Sequence, residues 1–508
     1  MHIGGHMRTV LKLVIPWICL AFISSACGGS NRTVNEVPTD STASSTTSSE
    51  DSGQSEETVS EQPETQEEET AGDNETEPET EPETQEEETE PAYETFGDIT
   101  WPCNPGDVSG STAQGVTDDS ILIGGGDDRG FVGALGLNIT QTDTLKAFVE
   151  KCNSLGGING RQIEVELYDA KLFEVSAVWL DACPRMFMMV GEGFAVDGFG
   201  EESRVQCELA HIPSWTVSAA AAHGPLMIQP VPNPSDRIPL SMAHWVAENC
   251  PDCVESSATM FGNFGATIET KDKVLASYPS LGFEFDVNLE YNINGEDDWT
   301  PFVLALKDAG AKHVYFTGAC LPNYQAFRAT AAVNNFQAIY TTDANFYENA
   351  CKNANSDGVM NNTFVRSSFV PFEERDYVKA VDDYLNIMET AGGEVALLGM
   401  QTTSAFMLWA TAAKACGSNL TRQCVLDEAA AISEWTGGGL HVPSDPGVNE
   451  PPPCGLVLEL VDDTYERIFP YEPGTFACDE SWAASFTTEW SEAAQLDENR
   501  VSQKFVTE

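Results

Sequence analysis

From about residue 116 onward, short apolar runs alternate with longer stretches whose apolar positions recur every three to four residues. The run at 120–124 (SILIG) predicts a buried strand. Residues 143–155 predict a helix with Leu145, Phe148, Val149 and Cys152 on its apolar face, and 163–168 a second strand. A helix over 175–186 and a strand over 194–199 follow. The alternation resumes with strands at 258–261, 283–289, 313–317 and 339–341, and helices at 267–278, 299–309 and 324–333. Strands and helices at this spacing imply an α/β fold, with parallel sheets covered by helices on both faces. The two blocks imply two doubly wound lobes.

The first 95 residues follow another pattern. Arg8 and Lys12 precede an apolar run at 13–23, and the small residues Ser24, Ser25 and Ala26 lead to Cys27. This reads as an export signal, too short and wrongly flanked for a transmembrane helix. Small residues before a Cys resemble the lipobox of bacterial lipoproteins, although the usual Leu is replaced by Ser24. That resemblance implies cleavage before Cys27 and lipidation of it; the alternative is an ordinary secretory signal. Residues 28–95 are mostly Ser, Thr, Glu, Pro and Gln, with PETQEEET at 63–70 and again at 82–89. Such a segment buries too little apolar area to offset its ordering entropy, and its like charges repel. It is expected to be a disordered tether lifting the folded part off a membrane. The expected division is a signal at 1–27, a tether at 28–95, a folded domain at 96–480 and an acidic tail at 481–508.

Charge narrows the function. With 80 acidic and 25 basic residues the net charge is −55, which excludes a basic face for nucleic acid. The acid surplus fits either a salty habitat or steering of a cationic ligand. Of the 14 Cys, setting aside Cys19 and Cys27 leaves an even number, suited to an oxidising compartment. Proximity suggests pairing Cys416 with Cys424, Cys454 with Cys478, Cys183 with Cys207 and Cys103 with Cys152. Cys250, Cys253, Cys320 and Cys351 are left over. The seven His are scattered, and CPDC at 250–253 is the one CxxC. There is no GxSxG, HExxH or Walker A loop, so the expectation is a protein without catalytic apparatus, metal or cofactor.

Three segments carry a family resemblance: GVTDDSILIG (115–124), FVEKCNSLGGINGRQIEVELYDA (148–170) and GEDDWTPFVLALKDAGAKHVYF (295–316). They are similar to signatures of the periplasmic branched-chain amino acid binding proteins, the type I solute-binding proteins of ABC importers. AKACGSNLTRQCV (413–425) and TGGGLHVPSDP (436–446) resemble an actinobacterial branch of that family. The resemblance implies a type I periplasmic binding protein fold, two α/β lobes joined by a three-segment hinge. Crossings are placed near 230–235, 363–371 and 436–446. Lobe 1 would then hold about 116–230 and 371–436, and lobe 2 about 235–363 and 440–480. It further implies a small polar ligand (an amino acid, amide or related amine) held between the lobes and delivered to ABC permease and ATPase subunits. The protein would stand on the outer face of the cell membrane, anchored through Cys27. A ligand-sensing receptor of the same fold is the alternative.

Candidate contacts lie in loops at the carboxyl ends of strands, where open α/β sheets bind ligands. In 124–130 (GGGDDRG) the glycines would let backbone approach a ligand, with Asp127, Asp128 and Arg129 offering charge or forming an internal pair. Residues 198–203 bring Glu201, Glu202 and Ser203, where the family often holds a ligand carboxylate with hydroxyls. In 214–224 (SWTVSAAAAHG) the amides of Ser218, Ala219 and Ala220 could bind a carboxylate at a helix start, or form a tightly packed turn. On the second lobe, Asp343 matches the family's carboxylate for a ligand ammonium, or caps a helix near Phe346. Phe264 could stack on the ligand or fill the core. Ala319 and Cys320 suggest a roomier pocket.

Overall fold

A computed structural model describes residues 94–505. The export signal, Cys27 and the expected tether up to residue 93 lie outside the described residues. Two sheets organise the rest. In the first, β1 (Ser120–Asp127), β2 (Gln162–Asp169), β3 (Met188–Val190) and β4 (His211–Ile212) run parallel in the order β2-β1-β3-β4. In the second, β5 (Ser257–Gly262), β6 (Phe285–Tyr291), β7 (His313–Thr317), β8 (Ile339–Thr342) and β9 (Thr363–Ser367) are parallel. β10 (Cys454–Val461) and β11 (Thr464–Phe469) extend the β9 edge antiparallel, giving the order β11-β10-β9-β8-β7-β5-β6. The all-buried patterns of β3, β5 and β7 explain their continuous apolar sequences: helices cover both faces.

The helix Ile139–Ser154 follows β1 and packs on the first sheet. The late helices Lys379–Ala391 and Leu397–Cys416 return to the same lobe and lie against it. Leu397–Cys416 is buried almost all round, with Phe406 and Trp409 fully enclosed, so its apolar sequence lacks the stripe of a surface helix. The turn LGGINGRQ joins Ile139–Ser154 to β2. Gly157 has φ +75°, and a Cβ there would meet the Arg161 carbonyl at 2.0 Å. Arg161 is buried and donates to the carbonyls of Thr117, Gly110 and Gly417, bracing β2 against two loops.

One local expectation fails. Residues 194–199 form no strand; the third strand is Met188–Val190, and Asp197–Phe199 is a 3₁₀ turn. The apolar run FMMV after the helix Val175–Ala182 enters the sheet, whereas FAVDGF folds into the loop above it. Of the segment 363–371, expected to hold a crossing, the first five residues are β9. The chain passes between lobes after Ser367, and Phe369 bridges to His441 of the returning strand. The Val370 amide donates to Leu440 and the Val442 amide to Ser368, while Ser444 Oγ donates to the Pro230 carbonyl, so all three crossings lie side by side.

Six disulfides join described cysteines: Cys103–Cys152, Cys183–Cys207, Cys250–Cys253, Cys320–Cys351, Cys416–Cys424 and Cys454–Cys478. The described part of the acidic tail is folded onto the domain. The Trp490 indole donates to Asp272, Arg500 pairs with Asp236, and the Ser502 amide meets the His223 carbonyl. At the other end, Phe96 packs edge-on against Phe148, the Gly97 amide donates to Asp383, and Lys151 pairs with Glu94, fixing the start of the described chain to the first lobe.

Candidate ligand-binding site

A cavity of about 270 Å³ opens between the lobes, at the carboxyl ends of both sheets. The first lobe lines it with Phe131 and Leu137 after β1, Leu172 after β2, Ala195 after β3 and Trp215, Thr216 and Val217 after β4. The second lobe contributes Phe264 after β5, Lys273 from the helix Gly265–Ser277, Thr317 at the end of β7 with Gly318, Ala319, Leu321 and Pro322 beyond it, Asp343 after β8 and Arg366 within β9. Asn233 of the first crossing and Gln401 of the helix Leu397–Cys416 are among its further polar groups, with Asn138, Gln229, Asn323 and Asn345. The wall is mainly apolar with a few convergent polar groups, the usual make-up of a small-molecule site.

Of the ten ligand contacts expected from sequence, Phe264 and Asp343 line this cavity. The other eight stand off it, each for a visible reason. Gly124, Gly125 and Gly126 belong to β1 itself; a Cβ at Gly125 would strike Leu145 at 2.2 Å, so these glycines serve packing and not a ligand. Asp127 is fully buried, accepting from Thr142 Oγ1 and from the Arg129 amide and Nε. Its carboxyl is pushed upward by burial, against those donors. Arg129 turns its remaining reach to the Tyr168 carbonyl.

Asp128 accepts from the amides of Leu172 and Ala195 at 3.1 and 2.9 Å and from Asn138 Nδ2 at 3.3 Å. Burial raises its carboxyl to about 6. Leu172, Ala195 and Asn138 all line the cavity, so Asp128 is a positioning residue that ties three loops together.

Glu201 forms a fully buried pair with Arg204, whose guanidinium also donates to the carbonyls of Leu209 and Pro225. Ser203 Oγ bonds Ser176 Oγ at 3.0 Å. The amides around Ser218 are not free for a ligand. Asp197 accepts from the amides of Val217 (2.8 Å) and Ser218 (3.0 Å), and Ser218 Oγ accepts from the Ala221 amide. Glu269 reaches over from the second lobe to accept from the Ala219 amide at 2.9 Å. Ala220 sits in the same short helix, Ala219–Ala222, off the cavity. Burial raises Asp197 to about 6 and, with the charge of Asp197, Glu269 to about 8.

Asp343 makes no helix-capping hydrogen bond. Its Oδ2 accepts from Tyr315 and its Oδ1 pairs with Arg366 Nη2 at 2.5 Å. Both oxygens are engaged by protein donors, one of them a full positive charge. Ala319 lines the cavity, while Cys320 is buried in its disulfide to Cys351, which pins this loop to the helix Asn349–Asn353. Sequence reasoning missed Lys273, Arg366, Trp215 and Gln401. Lys273 Nζ lies 3.0 Å from Asn233 Oδ1, and burial lowers it to about 8, opposed by Glu269. Gln401 Oε1 and Arg366 Nε are buried without a protein partner. Among the described residues, no cluster of His, Cys, Asp and Glu could hold a metal ion.

Solved structures share this architecture. A fatty acid ABC transporter substrate-binding protein from Thermomonospora curvata superposes with a TM-score of 0.58 at 13% identity, covering 78% of this chain and 100% of its own. A solute-binding protein from R. palustris in complex with 4-hydroxybenzoate gives 0.58 at 11%, covering 71% and 98%. The branched-chain amino acid transporter substrate-binding protein LivJ from Streptococcus pneumoniae, in complex with isoleucine, gives 0.56 at 13%, covering 69% and 99%. No curated protein matches the sequence. Residues 212–460 match a family model described as periplasmic binding protein. The chain has the type I periplasmic binding protein fold. The fold accounts for the cavity's position, and the particular side chains decide what it accepts.

Proposed function

We propose that the protein is the extracytoplasmic solute-binding component of an ABC importer, capturing a small ligand between its lobes and presenting the closed form to permease and ATPase subunits. The observation that carries this reading is the cavity: it is walled by both lobes and lies beside the three adjacent crossings. A ligand touching both walls has differential affinity for the closed form, and only such a difference shifts an open-to-closed equilibrium. Six disulfides suit an oxidising, extracytoplasmic setting. Anchorage through a lipidated Cys27 belongs to the same proposal, on the sequence pattern before that residue.

The similar structures are described with fatty acid, 4-hydroxybenzoate and isoleucine, so the ligand search extends past amino acids, amides and amines to organic acids. Phe264 and Asp343 are proposed to bound the ligand in the cavity. The test is a thermal-shift screen over these classes, followed by small-angle scattering with any hit. A ligand at 100 times its Kd stabilises by about 2.7 kcal/mol. A melting temperature unmoved by every class, or a hit that leaves the scattering profile unchanged, would refute capture between the lobes.

A further inference from the structure

The charged side chains lining the cavity are Lys273, Arg366 and Asp343, two cations and one acid, in a chain of net charge −55. Asp343 is committed to Tyr315 and Arg366. Lys273 is 4% exposed, and its polar contacts are the side-chain oxygen and carbonyl of Asn233, at 3.0 and 3.5 Å. No carboxylate oxygen of the described residues lies within 4.0 Å of its Nζ. Glu269, one turn earlier on the same helix, is turned to the Ala219 amide. A buried ammonium served only by neutral oxygens is under-compensated, and Arg366 keeps its Nε without a partner. On the first lobe the matching donors are taken, by Asp197 at Val217 and Ser218 and by Glu269 at Ala219. The positive end of the cavity is therefore on the second lobe, and the opposite wall carries no charged side chain: apolar Phe131, Leu137, Trp215 and Leu398 dominate it, with the neutral polar groups of Asn138, Thr216 and Gln401 among them.

We infer that the cavity takes an amphipathic organic monoanion, with a carboxylate head held between Lys273 and Arg366 and an apolar body lying against the first lobe. The inference rests on the reading of the chain as a solute-binding protein and names its ligand class. A free amine is disfavoured, because the one acid in the cavity has both oxygens engaged and two cations beside it. A carboxylate supplies Lys273 with the counter-charge it lacks and offers Arg366 a second acceptor.

The experiment titrates the full chain by calorimetry with octanoate, octanamide, octylamine and leucine, in the wild type and in Lys273→Met. Octanoate is expected to bind at least about tenfold tighter than octanamide, the difference a charge-assisted hydrogen bond supplies, and Lys273→Met to abolish that preference. Octanamide, octylamine or leucine binding as tightly as octanoate overturns the inference, as does a preference that survives in Lys273→Met. Should that variant not fold, Arg366→Gln replaces it, and the wild-type ratio of acid to amide decides independently of either. Silence toward all four probes overturns this ligand class; the solute-binding reading itself falls only if the broader thermal-shift screen is silent too.

Discussion

Glu269 belongs to a helix of the second lobe, yet its carboxyl accepts from the Ala219 amide of the first. Asp197 holds the two preceding amides, so two acids share one small turn with a buried lysine one helical turn away. Burial and the charge of Asp197 raise Glu269 to about 8, while the Ala219 amide and Lys273 pull the other way. A carboxyl whose folded pKa lies above its unfolded value stabilises the fold at low pH, and that contribution is lost as pH rises through the folded pKa. Glu192, also raised to about 8 by burial, adds a parallel loss. The buried His223, His313 and His441, lowered by burial to about 4, 3 and 4, complete their effect below about pH 6.5. The melting temperature is therefore expected to fall between about pH 6.5 and 8, and to fall less steeply in Glu269→Gln. Equal slopes in the two proteins, by scanning calorimetry, would show that Glu269 is not raised.

At the scale of elements, the parallel strands were legible because burial on both faces leaves a bare apolar run. SILIG and HVYFT need no alternation to declare themselves. The strand Met188–Val190 was hidden because it is three residues long and follows the helix Val175–Ala182 after a short link, so the helical spacing of apolar residues reads on to Met186. Of the expected contacts, Phe264 and Asp343, placed by resemblance to the family, fall on the cavity lining, whereas Lys273 in a helix and Arg366 inside a strand carry no sequence pattern that points to a site. Nothing in the sequence shows that Asp197 and Glu269 would turn inward and cap the Ala219–Ala222 helix. The motif LGGINGRQ, by contrast, is spelled out by its geometry. Gly157 combines a left-handed φ with a carbonyl 2.0 Å from where a Cβ would stand. Gly157→Ala should cost about 2 kcal/mol or more in urea unfolding; an unchanged midpoint would mean the turn can relax around a side chain.

At the scale of the whole molecule, the residues after Glu480 run along the junction of the lobes. Arg500 pairs with Asp236 at the first crossing, its carbonyl meets His223 Nδ1 on the first lobe, and Trp490 holds Asp272 on the second. A chain ending at residue 486 loses all three contacts and leaves the half-buried Asp236 without its Arg500 partner. Its melting temperature should drop by at least about 2 °C relative to the full chain; identical melting curves would show that the segment is a passive appendage. The opposite end of the described chain has a mechanical meaning. Glu94, Phe96 and Gly97 are fastened to the first lobe through Lys151, Phe148 and Asp383, and the Cys103–Cys152 bond clamps the same helix a few residues on. Any load arriving along the backbone at Glu94 is delivered to that lobe alone. On the proposed reading, in which the cleft opens and shuts, the first lobe is thus the stator and the second the rotor.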